Sequence, residues 1–289
     1  MLHIVTKRNR ELYRDEMADL FRIRKTVFVD DLGWQLPVTN GLEIDRYDDD
    51  RAVYGLAFDA AGRVTMGARY RPTDDHAMLT DVFPHAVDPR FGPVTGPEVW
   101  EITRGMCLES GRQPHNLMRR AIQALAPIEY ALAHGVRWLI AFAEVRLVPL
   151  AIAMGWRVEL LGEPTPFGEG VGIAFRIEVS EDAVRQIREE FGLPTPCYVE
   201  LAPRPGDARD VHSRAAEMAH RVPGLAASLP RATAGWSATC CCAGRGARGW
   251  TLAPWRGCGG MPARPRRQWN PRCGPEAGGK RWRSAPGRA

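Results

Sequence analysis

The chain has 289 residues, 45% of them hydrophobic, and a formal net charge of +5. That length permits one large domain or two small ones, and no apolar run approaches the ~18 residues that crossing a membrane requires. The N-terminal region is charged and helix-patterned and has no signal-peptide apolar stretch, so a cytoplasmic protein is expected.

From Tyr13, apolar residues recur at Met17, Leu20, Phe21, Val27 and Phe28, a spacing that predicts an amphipathic helix over about 10–28. Arg24 falls on its apolar stripe. A buried unpaired guanidinium is costly, so Arg24 must either meet a carboxylate or line a cleft. A loop through Gly33, Pro37 and Gly41 follows and carries Trp34, Asp45 and Asp48. One cation, two rings (Phe28 and Trp34) and two carboxylates thus lie close together, a set that suits a small ligand of mixed charge. Each could also be plain core or surface; as a set they are better explained by a site.

Residues 52–58 and 63–71 read as a hairpin across the Asp59-Ala-Ala-Gly62 turn, with Arg69 and Arg71 on one face of the second strand. The segment 72–97 holds five prolines and reads as mostly loop. A strand over 99–107 carries Glu101 and Arg104. Three residues apart, they face opposite sides of a regular strand, so a shared cleft requires a bulge or a strand end. Without such a cleft, Glu101 is one half of an ordinary ion pair.

A helix marked by Leu117, Ala121, Ile122, Leu125, Ile128 and Leu132 ends at Gly135, with a kink expected at Pro127. A buried strand (137–143), a short helix to about Gly155, strands at 156–161 and 172–179, a helix capped by Ser180 and ended by Gly192, and a strand at 197–201 complete the pattern. Strands and helices mixed in this way predict an α/β fold, one central sheet with helices on both faces. Cys107 and Cys197 have no histidine at a suggestive spacing and read as core thiols.

Charge divides the chain. Residues 204–289 hold 16 Lys+Arg and 4 Asp+Glu, against 23 and 30 in residues 1–203. The last 86 residues also hold five of the seven cysteines and five of the nine tryptophans, amid Gly, Pro and Arg. Such a stretch buries too little apolar surface to offset chain entropy. It is expected to be a disordered extension of a 1–203 domain. Nucleic-acid binding through its charge and metal binding through Cys240–Cys242 are weaker readings, since no folded motif and no CxxC accompany them.

The order Arg24…Phe28…Trp34…Asp45-x-x-Asp48…Arg69-Tyr-Arg-Pro-Thr73…Glu101-Ile-Thr-Arg104 resembles the acyl-homoserine-lactone synthases, the autoinducer synthases of bacterial quorum sensing. Glu43-Ile-Asp-Arg-Tyr-Asp48 is similar to the family's E-x-D-x-x-D, Gly67-Ala-Arg-Tyr-Arg-Pro-Thr73 to G-x-x-R-L-x-P-T, and Trp100-Glu-Ile-Thr-Arg104 to W-E-x-[ST]-R. The resemblance covers about residues 1–200. It implies a three-layer αβα sandwich like that of the GCN5-related N-acetyltransferases. It also implies acylation of the S-adenosylmethionine (SAM) amine by an acyl thioester, then lactone closure with release of 5′-methylthioadenosine. SAM would be a substrate, with no cofactor or metal required.

The residue chemistry suits that reaction. Asp45 and Asp48 would hold cationic groups of SAM, Trp34 would face its sulfonium, and Arg24 or Arg104 would pair with its carboxylate. Glu101 would act as base, oriented by Arg69. Thr103, Phe142 and Ala143 would meet the substrates, and a backbone N–H of the split sheet would serve the oxyanion. The chain departs from the pattern at Gly105, where the family often has Phe, and at Ala143, where many members have Thr or Ser. Ala143 points to unsubstituted, branched or aromatic acyl groups. The region 100–200 looks closer to the branch that takes acyl-CoA, although Arg119, Arg120 and Arg146 could dock an acidic acyl-carrier protein. The rivals are an ordinary acyl-CoA N-acyltransferase, whose pyrophosphate-binding glycines are missing from Arg112-Gln-Pro-His-Asn-Leu117, and a nucleic-acid-binding protein acting through the tail.

Overall fold

A computed structural model describes residues 1–59, 61–108, 114–168, 170–193, 196–203 and positions 211, 212 and 215, with only the backbone of 114–123. Its strands are β1 (Leu2–Val5), β2 (Val38–Thr39), β3 (Leu42–Glu43), β4 (Val53–Phe58), β5 (Val64–Pro72), β6 (Val99–Cys107), β7 (Trp138–Glu144), β8 (Val158–Leu160), β9 (Thr165–Phe167), β10 (Gly170–Glu178) and β11 (Tyr198–Val199). Its helices are α1 (Arg14–Arg24), α2 (Met78–Val82), α3 (Pro114–Ala133), α4 (Val148–Ala153) and α5 (Glu181–Phe191).

The main sheet runs β11-β1-β4-β5-β6-β7-β10-β8, with β9 paired to β10. It is antiparallel except for β1 with β11 and β6 with β7. Alternation along the strands feeds two apolar layers. On one face Leu2, Ile4, Val53, Tyr70, Trp100, Leu139 and Ile177 pack beneath α3 and α5 through Leu125, Ile128, Val184 and Ile187. Each of these large side chains contributes roughly 1.5–3 kcal/mol by leaving water. On the other face Tyr54, Leu56 and Met106 pack beneath α1 through Met17 and Leu20, while Ile140 and Ala174 pack with Leu79 and Phe83 of the α2 region. Gly67 permits the close approach of α1, since a Cβ there would stand 2.3 Å from Leu20 Cδ1. This is the three-layer αβα sandwich that the family resemblance implied.

Several elements differ from the sequence expectations. The first helix is three pieces: a 3-10 turn at Arg10–Tyr13, then α1, then a π-helical stretch at Lys25–Asp31. Within the mostly looped 72–97 segment lies α2, which had no sequence signal of its own. Strand β1 was not anticipated. Beyond the expected boundary at 203, Val211 and Ala215 are buried against the α1 layer, and His212 packs edge-on to Phe58 at 4.7 Å. The rest of the expected extension lies outside the described residues.

Two local features shape the site. Strands β6 and β7 pair only over Val99–Glu101 and Trp138–Ile140. Thereafter β6 follows β5 and β7 follows β10, so the sheet forks just past Glu101. In addition, β6 has one residue more than β5 between the pairs Arg69–Thr103 and Gly67–Met106. The bulge falls at Arg104, whose φ is +54°. It turns Arg104 to the face that Glu101 and Thr103 already occupy, which is the irregularity the Glu101–Arg104 spacing required.

Candidate active site

Three arginines and three carboxylates form one buried cluster on the α1 side of the sheet. Arg24 donates from Nε to Glu43 (2.6 Å) and from both Nη atoms to Asp48 (2.8 and 2.9 Å). Arg69 donates to Asp45 (2.6 and 3.1 Å) and, from Nε, to Thr103 Oγ1 (2.9 Å), and it lies 2.9 Å from Asp48. Arg104 reaches Glu43 at 3.0 Å and Asp45 at 2.8 Å. Buried charges are tolerable only when paired this completely. Burial pushes the Asp48 carboxyl up, but the Arg24 hydrogen bonds and the Arg69 charge outweigh it and hold the group well below the usual carboxylate range. The Tyr54 hydroxyl, which donates to Asp48 at 2.9 Å, is pushed up by burial and by that carboxylate.

Arg24 therefore meets carboxylates rather than lining a cleft. It is 1% exposed and Nε and both Nη atoms already bond Glu43 and Asp48, so a direct clamp on a ligand carboxylate does not fit its position. Arg69 does not orient Glu101 by contact either, because its hydrogen bonds go to Asp45 and Thr103. The more open members of the cluster are Asp45 (10% exposed) and Arg104 (6%).

Local sequence explains the placement. The β2–β3 hairpin turns at Asn40 (φ +52°) and Gly41 (φ +77°), the two positive values a type I′ turn needs. Its register presents Glu43, fully buried, between Arg24 and Arg104. Glu43 lies in the E-x-D-x-x-D motif, yet its side chain is not among the expected site residues; the Asn-Gly turn flanked by short apolar stretches was the signal that could have found it. Asp45 and Asp48 fix each other's loop: Asp48 accepts from Asp45 N (2.8 Å) and Asp45 accepts from Tyr47 N (2.8 Å).

Glu101 stands at the fork, 3% exposed. Its two oxygens accept from the backbone N–H groups of Met78 (2.7 Å) and Leu79 (2.6 Å), the first turn of α2. The residue before that turn, Ala77, has no side-chain acceptor, so Glu101 caps α2 from another strand. Burial pushes its carboxyl up to about 7, against the opposing pull of these two N–H groups and of Arg69.

Aromatic rings continue from the cluster across the fork. Arg104 lies over the Phe28 ring (5.7 Å), Phe28 stacks on Trp34 (5.1 Å), and Trp34 meets Phe167 edge-on (5.1 Å). Phe167 in turn touches Phe83 and Phe142 (both 5.4 Å), which stack on each other at 4.3 Å. Phe83 and Phe167 carry no signal in the spacing arguments. Phe142 faces this side of β7, whereas Ala143 points through to the α3 layer and packs with that core, so the two lie on opposite faces of the strand. Cys197 is a fully buried thiol pushed up to about 12 by burial, and Cys107 is half-buried on β6. Arg146 pairs with Glu144, and the side chains of Arg119 and Arg120 lie outside the described residues.

The site is thus a forked mixed sheet with a carboxylate at the fork and a charged and aromatic cluster on one side. A family model described as autoinducer synthase matches residues 8–187, and the chain belongs to that family. It is 29% identical over 197 residues to the isovaleryl-homoserine lactone synthase of Bradyrhizobium diazoefficiens, covering 68% of this chain and 87% of that protein. It is 34% identical over 168 residues to an acyl-homoserine-lactone synthase of Ralstonia solanacearum, covering 56% and 81%. Among solved structures, the CoA-dependent acyl-homoserine lactone synthase BjaI, with SAM and isopentyl-CoA, superposes with a TM-score of 0.62 at 30% identity, covering 71% of this chain and 94% of that one. No helix among the described residues is long and apolar enough to cross a membrane.

Proposed function

We propose that this chain acylates the amine of SAM from an acyl-CoA and then closes the homoserine lactone, releasing 5′-methylthioadenosine. The observation that carries this reading is Glu101, a carboxylate at the sheet fork with its proton affinity raised to near neutrality. A base of that strength accepts a proton from the SAM ammonium near pH 7. The freed amine attacks the thioester carbonyl, and the C–S bond breaks to release CoA thiol. The SAM carboxylate then displaces the γ-carbon from the sulfonium, an intramolecular step that needs mainly orientation.

The other roles follow from exposure and charge. Asp45 takes a cationic group of SAM and Arg104 its carboxylate, while Arg24, Glu43, Asp48 and Arg69 form the frame that holds those two. Phe28 and Trp34 offer ring faces to the sulfonium. The unpaired strand edges beyond Glu101 and Ile140 supply backbone donors for the oxyanion, and Phe142 lies on the acyl side with Thr103 across the gap. The match over 8–187 supports placing the catalytic unit in residues 1–203.

An acyl-CoA donor is favoured by the likeness to CoA-dependent relatives. The test is a comparison of kcat/KM for short branched and straight acyl-CoAs against the matching acyl-carrier proteins. A preference for the CoA thioesters of tenfold or more is expected. Equal or better use of carrier-protein thioesters would reverse the donor assignment.

A further inference from the structure

Arg71 lies outside the cluster just described, yet it is 4% exposed and its guanidinium is fully used. On β5 it stands directly opposite Glu101 of β6, and the two side chains turn to different partners. Arg71 donates to both oxygens of Asp75 (2.8 Å each), to the carbonyls of Pro72 (3.1 Å) and His76 (2.8 Å), and to Asp49 (2.7 Å). Asp75 in turn accepts from His76 N at 2.7 Å. These bonds fasten the 72–76 loop to the sheet. One residue later, at Ala77, the chain enters α2, whose first N–H groups meet Glu101.

We propose that Arg71 is a positioning residue: by clamping the 72–76 loop it holds the first two backbone N–H groups of α2 against the Glu101 carboxylate. The functional value of this arrangement rests on the reading of Glu101 as the base. A five-residue helix whose own N-cap residue, Ala77, offers no side-chain acceptor has little rigidity of its own, so the loop before it must be fixed from outside. Arginine suits the task because its planar fork binds a carboxylate and carbonyls at once, which a lysine cannot reproduce.

The consequence has a definite sign. Hydrogen bonds to a carboxylate favour its ionised form, so withdrawing the two α2 N–H groups while Glu101 stays buried raises its proton affinity. The other charges facing Glu101 are Arg69 from β5, which favours ionisation, and Asp81 from α2, which opposes it; β7 contributes Ile140 opposite. Two variants separate position from charge. Arg71→Lys keeps the positive charge and loses the fork. Asp75→Asn, on a half-exposed side chain, leaves Arg71 intact and weakens its hold on the loop.

The direct readout is the titration of the Glu101 side-chain carboxyl by 13C NMR in the full chain, assigned with Glu101→Gln, with far-UV circular dichroism confirming that each variant is folded. An upward move of half a pH unit or more in both Arg71→Lys and Asp75→Asn is expected, with the alkaline-rising limb of kcat/KM moving by the same amount. An unmoved Glu101 titration in folded Asp75→Asn and Arg71→Lys would overturn the proposal. If instead the titration moves while Glu101→Gln keeps wild-type activity, Arg71 positions Glu101 as proposed and it is the base assignment that fails.

Discussion

Arg24 and Asp48 form a fork-to-fork pair, Nη1 to Oδ1 at 2.8 Å and Nη2 to Oδ2 at 2.9 Å, buried beneath α1. Asp48 also faces Arg69 and accepts from Tyr54, so one carboxylate is shared by two guanidinium groups. Asp48→Asn removes that charge and leaves two buried cations short of a partner. A loss of about 3–5 kcal/mol is expected, read from urea unfolding. Because the Asp48 carboxyl lies below its ordinary value, its contribution is present above about pH 4 and is lost only in stronger acid. A variant with unchanged stability at pH 7 would show that the pair contributes nothing net.

Glu101 is expected to give kcat/KM a limb that rises with pH through about 7, since burial raises its proton affinity and the base must be ionised to act. Glu101→Gln is expected to lower kcat by roughly 10²–10⁴-fold and to remove that limb. Stability follows the opposite sense: a carboxyl that holds its proton more tightly when folded loses stability as pH rises from its ordinary value through about 7. Near wild-type kinetics for Glu101→Gln would remove it as base.

Trp34 is stacked on Phe28 and touches Phe167, at the edge of the charged cluster. Trp34→Ala is expected to raise KM for SAM about tenfold with a smaller change in kcat, as loss of a ring facing a cation costs on the order of 1–2 kcal/mol. An increase confined to KM for the acyl donor would assign the ring to the other substrate.

His3 on β1 is buried beside the N-terminal amine and His212, and burial lowers its pKa to about 3. It bonds to the Tyr13 hydroxyl at 3.1 Å and meets Phe58 edge-on at 4.8 Å. A histidine kept neutral in the fold contributes stability that is full above its ordinary value of 6.5 and is lost as pH falls toward 3. That loss is on the order of 4 kcal/mol. His3→Phe is expected to flatten the dependence of the urea midpoint on pH between 6.5 and 4; an unchanged slope would place the acid sensitivity elsewhere.

Much of the site was legible because charged residues on apolar patterns announce themselves. Arg24 on a helix stripe had either to meet a carboxylate or to line a cleft, and it meets Glu43 and Asp48. Glu101 and Arg104, three apart on a strand, could serve one cleft only through a bulge or a strand end, and Arg104 sits in a bulge with a positive φ. The β4–β5 hairpin followed from alternation and a turn. What escaped notice was short or set by tertiary contact. Strand β1 has four residues, too few for a periodic signal. Helix α2 lies in a proline-rich stretch and is held by a cap that comes from Glu101, 22 residues beyond Leu79. The opposite facing of Phe142 and Ala143 follows from strand alternation.

The most direct test is product stoichiometry. With SAM and a short branched acyl-CoA, mass spectrometry should find acyl-homoserine lactone and 5′-methylthioadenosine in a 1:1 ratio, with one CoA thiol released for each. Acylated product and free CoA without methylthioadenosine would contradict the lactone-forming reaction and leave an ordinary N-acyltransferase.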